Sequence, residues 1–218
     1  MLRLGVLVSG SGTNLQAILD AVAKETLDAR VAVVISNKAN TAALERAKAA
    51  DVPTEVLSHK QFPTREAFDA EIVSILRMRS VDTVVLAGFM RIITPVLLDA
   101  FPHRVINIHP SLLPAFPGVD AQSQALAGGV KVTGCTVHFV DVGTDTGPII
   151  AQAAVPVLDD DTTDSLRDRI LAMEHRVLPA ALQWLAEGRV HLDGSHVRVD
   201  GARADFAVTS PPLREVAR

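Results

Sequence analysis

The 218-residue chain holds one cysteine, Cys135, which excludes an internal disulfide framework and any multi-cysteine metal site. Its neighbours Thr133, Gly134, Thr136 and Val137 favour buried packing over a reactive thiol. Positive charge is also scarce. The formal net charge is −4, and Lys and Arg are scattered among acids. Phosphate backbones need clustered cations, so nucleic-acid binding is not expected as the main activity. No run reaches the roughly 20 apolar residues that span a bilayer. The apolar N-terminus lacks a small-residue cleavage site with suitable flanks. Internal repeats and low-complexity tracts are missing too. A cytoplasmic enzyme acting on small molecules is the expectation left standing.

Apolar material is plentiful by contrast, at 48% against 21% charged, enough for a substantial core. Leu4 to Val8 is a bulky run stopped by Ser9-Gly10-Ser11-Gly12, the form of a strand buried on both faces. From Asn14 the period changes, with Leu15, Ile18, Leu19 and Val22 at helical spacing. Val31 to Ile35, Thr54 to Leu57, Thr83 to Ala87 and Val105 to Ile108 are further strand candidates. Between them lie helical stretches at Ala42 to Ala50, Thr64 to Arg79 and after Pro95. Such alternation predicts a mostly parallel sheet with helices on both faces.

The second half reads differently. Thr133 to Val140 and Ile149 to Val157, joined by a Gly- and Asp-rich loop, predict an antiparallel pair extending the sheet. A long helix is expected from about Thr163 to Glu187, then a hairpin around Asp193-Gly194. After Gly201 periodicity is lost, and residues 202–218 are expected to form a flexible tail. Residues 1–201 would then form one catalytic domain.

Two segments carry chemistry. Ser9-Gly10-Ser11-Gly12-Thr13-Asn14 joins the first strand to the first helix, where backbone N–H groups and the helix dipole favour an anion. It has neither the Lys of a Walker loop nor the third glycine of a dinucleotide fingerprint, so it suits one phosphate monoester. A tight turn without ligand remains the alternative. Asn107-Ile108-His109-Pro110-Ser111-Leu112-Leu113-Pro114 follows a buried strand, and alternation puts Asn107 and His109 on one face. Ligands of open α/β sheets gather at that edge. An amide there can hold an oxyanion, and a histidine can shuttle a proton. The plainer alternative is a histidine that only fixes the proline-rich turn.

The octapeptide resembles the signature of the folate-dependent formyltransferases. The resemblance runs from about Leu4 to Leu192, through Ile35-Ser36-Asn37-Lys38, Leu86-Ala87-Gly88-Phe89-Met90-Arg91-Ile92, His138-Phe139-Val140 and Asp145-Thr146-Gly147-Pro148. It implies a three-layer, Rossmann-like α/β fold with an antiparallel C-terminal extension. It also implies formyl transfer from 10-formyltetrahydrofolate, a co-substrate and not a tightly bound cofactor, to the amine of glycinamide ribonucleotide. The implied catalytic trio is Asn107, His109 and Asp145. Gly12, Thr13, Asn14 and Glu174 would hold the ribonucleotide. Arg65, Met90, Arg91, Ile92, Ile93 and Asn107 would meet the folate, with Val140, Asp141, Val142, Gly143, Thr144 and Asp145 closing over its pterin.

Each implied role has a plainer counterpart: an exposed helix acid at Glu174, a turn residue at Asp145, and core at Met90, Ile92 and Ile93. The segment Pro117 to Gln122 carries no histidine, unlike some relatives, which leaves the role of Asp120 open. Residues 1–101 are expected to be the phosphate-binding half and 102–201 the folate-binding and catalytic half. A metal site is not expected, and a monomer or homodimer would suffice. The rival activities are a formyltetrahydrofolate deformylase and a non-catalytic nucleotide-binding module. A methionyl-tRNA formyltransferase would be expected to add a basic C-terminal domain.

Overall fold

Short β-branched runs bounded by Gly, Ser and Asn become strands, and the stretches of helical period between them pack across the sheet. The order in the computed structural model, which describes residues 1–201, is β1 (Leu2–Val8), α1 (Thr13–Ala23), β2 (Ala29–Ser36), α2 (Ala42–Ala49) and β3 (Thr54–Val56). There follow α3 (Arg65–Met78), β4 (Thr83–Leu86), α4 (Pro95–Ala100), β5 (Val105–His109), α5 (Ala121–Ala127), β6 (Val132–Phe139) and β7 (Ile149–Pro156). The chain continues with α6 (Thr163–Ala186), β8 (Val190–Asp193) and β9 (His196–Val199). The expected tail at 202–218 lies outside the described residues.

Seven strands form one sheet in the order β3-β2-β1-β4-β5-β6-β7. The first five are parallel, and β6 and β7 run antiparallel, as the alternating first half and the short β6–β7 loop predict. The hairpin β8–β9 forms a sheet of its own. The short helix α5 is an addition to the expected order. Its sequence AQSQALA buries only Ala121 and Ala125, so it shows no stripe of large apolar residues that a periodic reading detects.

Alternation along the strands divides the core between the two faces. Leu4, Val6, Val8, Ile106, Ile108 and Val137 pack with Leu15, Ile18, Leu178 and Leu182 of α1 and α6. Leu7, Val33, Ile35 and Val84 pack with Phe68, Ile72, Leu76 and Leu97 of α3 and α4. Gly5 permits the second contact, since a Cβ there would lie 2.3 Å from the Leu76 side chain. Cys135 belongs to a smaller cluster with Val155, Leu166 and Ile170, and burial pushes its thiol up to about 12. It is a packing residue.

Candidate active site

The strand order reverses between β1 and β4, so the loops leaving their C-terminal ends diverge and open a crevice. Ser9 pins its walls: its hydroxyl donates to Asn37 Oδ1 at 2.7 Å and accepts from the Met90 N–H at 2.9 Å. Loops after three strands are thereby tied together. Gly12 stands before α1 at φ +70°, and a Cβ there would lie 2.5 Å from the Ala43 Cβ. Glycine is required by both the backbone and the packing of α2. No side chain caps α1, so its first N–H groups are free to meet an anion.

Asn14, one residue into that helix, donates through Nδ2 to Glu174 Oε2 at 2.7 Å. Glu174 is 4% exposed, which overturns the alternative of an exposed helix acid. It lies on the same four-residue row of α6 as Leu166, Ile170, Leu178 and Leu182, all buried. Burial raises its carboxyl above the ordinary range, and the Asn14 hydrogen bond opposes that shift only in part. Asn14 Oδ1 is buried without a hydrogen-bond partner. A buried acceptor of that kind calls for a donor such as a ligand hydroxyl.

At the end of β5, Asn107 and His109 share a face and stand opposite His138 and Thr136 of β6. Thirty-six residues beyond His109 in sequence, the loop after β6 returns Asp145 to this pair. Asp145 Oδ2 lies 3.3 Å from His109 Nδ1 and accepts from the Gly118 N–H at 2.8 Å. Its Oδ1 accepts from Asn107 Nδ2 at 3.4 Å. Asp145 holds a positive φ of 56°, one of the few side-chain types that tolerates it. Its carboxylate links the trio, which the plain turn-residue alternative does not require.

The protonation pattern follows from the partners. His138 Nδ1 faces its neighbour's carbonyl, Phe139 O, at 2.8 Å, so Nδ1 carries the proton. Its Nε2 then accepts from Asn107 Nδ2 at 3.0 Å, which fixes the orientation of the Asn107 amide. Burial holds the His138 ring below its ordinary value and keeps it neutral. His109 differs, because Nε2 faces Phe116 O at 2.9 Å while Nδ1 faces Asp145.

Beside the trio lies a cavity of about 390 Å³, lined by Met90, Ile92, Asn107, His109 and Asp145 among others. That volume falls within the range of small-molecule sites. Met90 and Ile92 are 65% and 62% exposed, so they are not core, whereas Ile93 is buried. Arg91 and Thr144 line both sides of the loop pair, and Asp120 lies at the same cavity. Asp141 organises the loop after β6 by accepting from the Gly143 N–H and the Thr146 hydroxyl. Val142 at its tip is 80% exposed. Arg65 stands apart in a smaller pocket with His59 and Phe62, joined to the main cavity through Arg91.

The fold thus assembles Asn107, His109 and Asp145 at one point, and Gly12, Thr13, Asn14 and Glu174 at another. Three participants were not singled out from sequence. His138 belongs to a quoted motif, but its place opposite Asn107 depends on strand register. The Phe116 carbonyl and the Gly118 N–H are backbone groups, which side-chain motifs do not report.

Comparison with known proteins gives a consistent result. Residues 2–182 match the formyl transferase family. The phosphoribosylglycinamide formyltransferase of Escherichia coli (strain K12) is 43% identical over 198 residues, covering 91% of this chain and 93% of that protein. The trifunctional purine biosynthetic protein adenosine-3 of Drosophila melanogaster is 50% identical over 188 residues. That match covers 85% of this chain but only 14% of the longer protein. The crystal structure of glycinamide ribonucleotide transformylase 1 from Symbiobacterium toebii superposes with a TM-score of 0.90 at 56% identity, over 91% of this chain and 94% of that one.

Proposed function

The chain belongs to the formyl transferase family, and on that premise we propose that it transfers the formyl group of 10-formyltetrahydrofolate to the amine of glycinamide ribonucleotide. The products are N-formyl glycinamide ribonucleotide and tetrahydrofolate, a step of purine biosynthesis. The observation that carries the proposal is the Asp145 carboxylate set between Asn107 and His109 at the mouth of the crevice.

The ribonucleotide phosphate meets the Gly12 turn and the first N–H groups of α1, and Thr13 adds its hydroxyl. Asn14 Oδ1 and Glu174 take the ribose hydroxyls. Met90, Ile92 and Ile93 flank the pterin, Arg91 and Arg65 face the anionic part of the folate, and Val140 to Asp145 closes over it. Residues 1–101 supply most of the phosphate end, and residues 102–201 the catalytic trio and the closing loop.

The substrate amine attacks the formyl carbon, and the carbonyl oxygen gains negative charge. The Asn107 N–H that reaches Asp145 at a long 3.4 Å is the one a developing oxyanion takes over. His109 exchanges the Phe116 carbonyl for that oxygen, while Asp145 supports its positive charge. The tetrahedral adduct then collapses: the carbonyl re-forms, the bond between the formyl carbon and the folate nitrogen breaks, and the attacking nitrogen loses a proton as the folate nitrogen gains one, with His109 or a water as carrier. Holding the two substrates together contributes roughly 7–11 kcal/mol of the barrier reduction. The substrates are small molecules, the enzyme works in the cytoplasm, and a monomer or homodimer suffices.

The test is to incubate pure protein with both substrates and follow deacylated folate by absorbance. Deacylation that requires glycinamide ribonucleotide supports the proposal. Equal deacylation without it would identify a deformylase instead.

A further inference from the structure

A second cavity, larger than the one beside the catalytic trio, lies elsewhere on the molecule. It has about 680 Å³ and lies on the outer side of α1 and α6, with α2 at its end. Lys24, Arg46 and Arg176 line it together with one acid, Asp20, whose carboxylate already accepts from Gln16 Nε2 at 2.8 Å. Among the described residues none of the three cations faces a carboxylate partner. Arg46 binds only neutral acceptors, the Ser11 carbonyl at 3.0 Å and Gln16 Oε1 at 3.2 Å, and Arg176 touches only the Met173 sulfur. Cations without carboxylate partners that line one concavity favour an anionic ligand there.

One further side-chain atom lacks a partner. His175 lines the cavity, and its Nε2 is buried with no hydrogen-bond partner. Burial, and then Arg46, hold this ring below its ordinary value, so it is neutral and able to donate or accept. One turn on, Pro179 interrupts α6 without an N–H, which removes the usual helical donor to the His175 carbonyl. The floor between these polar groups is apolar, made by Ala17, Ala21 and Ala180, with Trp184 at its edge. Cations, a run of alanines and an imidazole nitrogen without a partner suit a ligand with an anionic group and a flat apolar part.

We propose that this groove is a second binding site, separate from the catalytic crevice, for a nucleoside monophosphate. The phosphate meets Lys24, Arg46 and Arg176, and the base lies over the alanine floor beside Trp184. The site also has a route to the catalytic crevice. Arg46 holds the Ser11 carbonyl, and Thr13 lines the groove, so both touch the glycine turn assigned above to the ribonucleotide phosphate. A ligand that draws Arg46 away from Ser11 changes that turn, and the coupling is reciprocal. Occupancy therefore shifts the apparent affinity for glycinamide ribonucleotide. The binding claim does not rest on the proposed activity; only the coupling does.

Trp184 is the one tryptophan of the chain and lines this groove, so its fluorescence reports on occupancy there. The intact protein is titrated with adenosine monophosphate, with inorganic phosphate and adenosine as separate arms. A saturable fluorescence change is expected with the nucleotide below about 1 mM, the upper end of ordinary small-molecule constants. Phosphate or adenosine alone should be at least tenfold weaker. Arg176→Ala and Lys24→Ala should each weaken the nucleotide at least tenfold, while Glu174→Gln leaves it unchanged. Saturating glycinamide ribonucleotide should shift the titration without abolishing it, and Arg46→Ala should remove that shift. Absence of a saturable change, full competition with glycinamide ribonucleotide, or unaltered binding in Arg176→Ala and Lys24→Ala would each overturn the proposal. Formyl transfer measured in the last two variants checks that they are folded.

Discussion

The two ends of the crevice are built on different terms. The ribonucleotide end is fixed by packing: Gly12 sits against Ala43 with no room for a methyl group, and Asn14 is locked to a buried Glu174. The folate end is made of two loops whose apolar side chains, Met90, Ile92 and Val142, face outward before any ligand covers them. Between the two stands the trio, with Asn107 and His109 on the strand β5 and Asp145 on the loop after β6. A packed site resists change and fails sharply, whereas a loop-built site adapts and fails by degrees. On the proposed assignment, one substrate would be read by a preformed mould and the other by closure of the loops.

The sharpest break of this contrast should come at Gly12. Gly12→Val adds a left-handed-backbone cost of about 1–2 kcal/mol and a steric cost of similar size, so ribonucleotide binding should fall about 100-fold. Folate binding, measured by calorimetry on the same variant, should change little. Comparable loss of both would mean that the two ends are not independent.

A smaller effect of mixed sign is expected at Glu174. Hydrogen bonds to a charged group contribute about 1.5–3 kcal/mol against roughly 0.5–1.5 for a neutral one, so Glu174→Gln should raise the ribonucleotide KM about tenfold. The free protein should become more stable at the same time. Burial raises the Glu174 carboxyl, so the folded chain holds this proton more tightly than the unfolded one. Stability from that proton is full below the unfolded value and is lost as pH rises towards the folded value. Glutamine removes that loss. Thermal melts across pH should show the variant gaining on the wild type between acid and neutral conditions, and parallel melts would contradict the assignment.

The folate end should respond more mildly. Arg91→Ala should raise the folate KM about tenfold, the loss of one charged contact, and leave the ribonucleotide constant unchanged. Val142→Ser should cost least. Its side chain is covered only on closure, so less than the roughly 1.5–3 kcal/mol of a fully buried Val is at stake, and a two- to fivefold rise in folate KM is expected. A larger effect at Val142 than at Arg91 would make the loop tip, not the Arg91 charge, the main folate determinant.

How much of this was written in the sequence follows the same division. The parallel strands, the β6–β7 pair and α6 were legible because their apolar periods are strong. Asn107 and His109 were legible because they sit two residues apart on a strand. The isolated residues are another matter. Asp145 and Glu174 could be singled out only through the family resemblance, although Glu174 falls on a row otherwise made of Leu166, Ile170, Leu178 and Leu182. A lone acid on an apolar row is itself a signal. His138 was hidden because the pairing Asn107↔His138 depends on an antiparallel register that no local pattern specifies. Phe116 and Gly118 act through backbone atoms, which no side-chain pattern reports.

The central claim is that Asp145 acts through His109, and the direct measurement is a double-mutant cycle on the chemical step. Single-turnover formyl transfer is measured with both substrates saturating in His109→Asn, Asp145→Asn and the double variant. Each single change should slow the step about 10²-fold or more, the range of an acid–base group. Because the two side chains work as one unit, the double variant should be little slower than His109→Asn alone. Losses that multiply in full would show that Asp145 acts independently of the imidazole, and the account of the trio would fall.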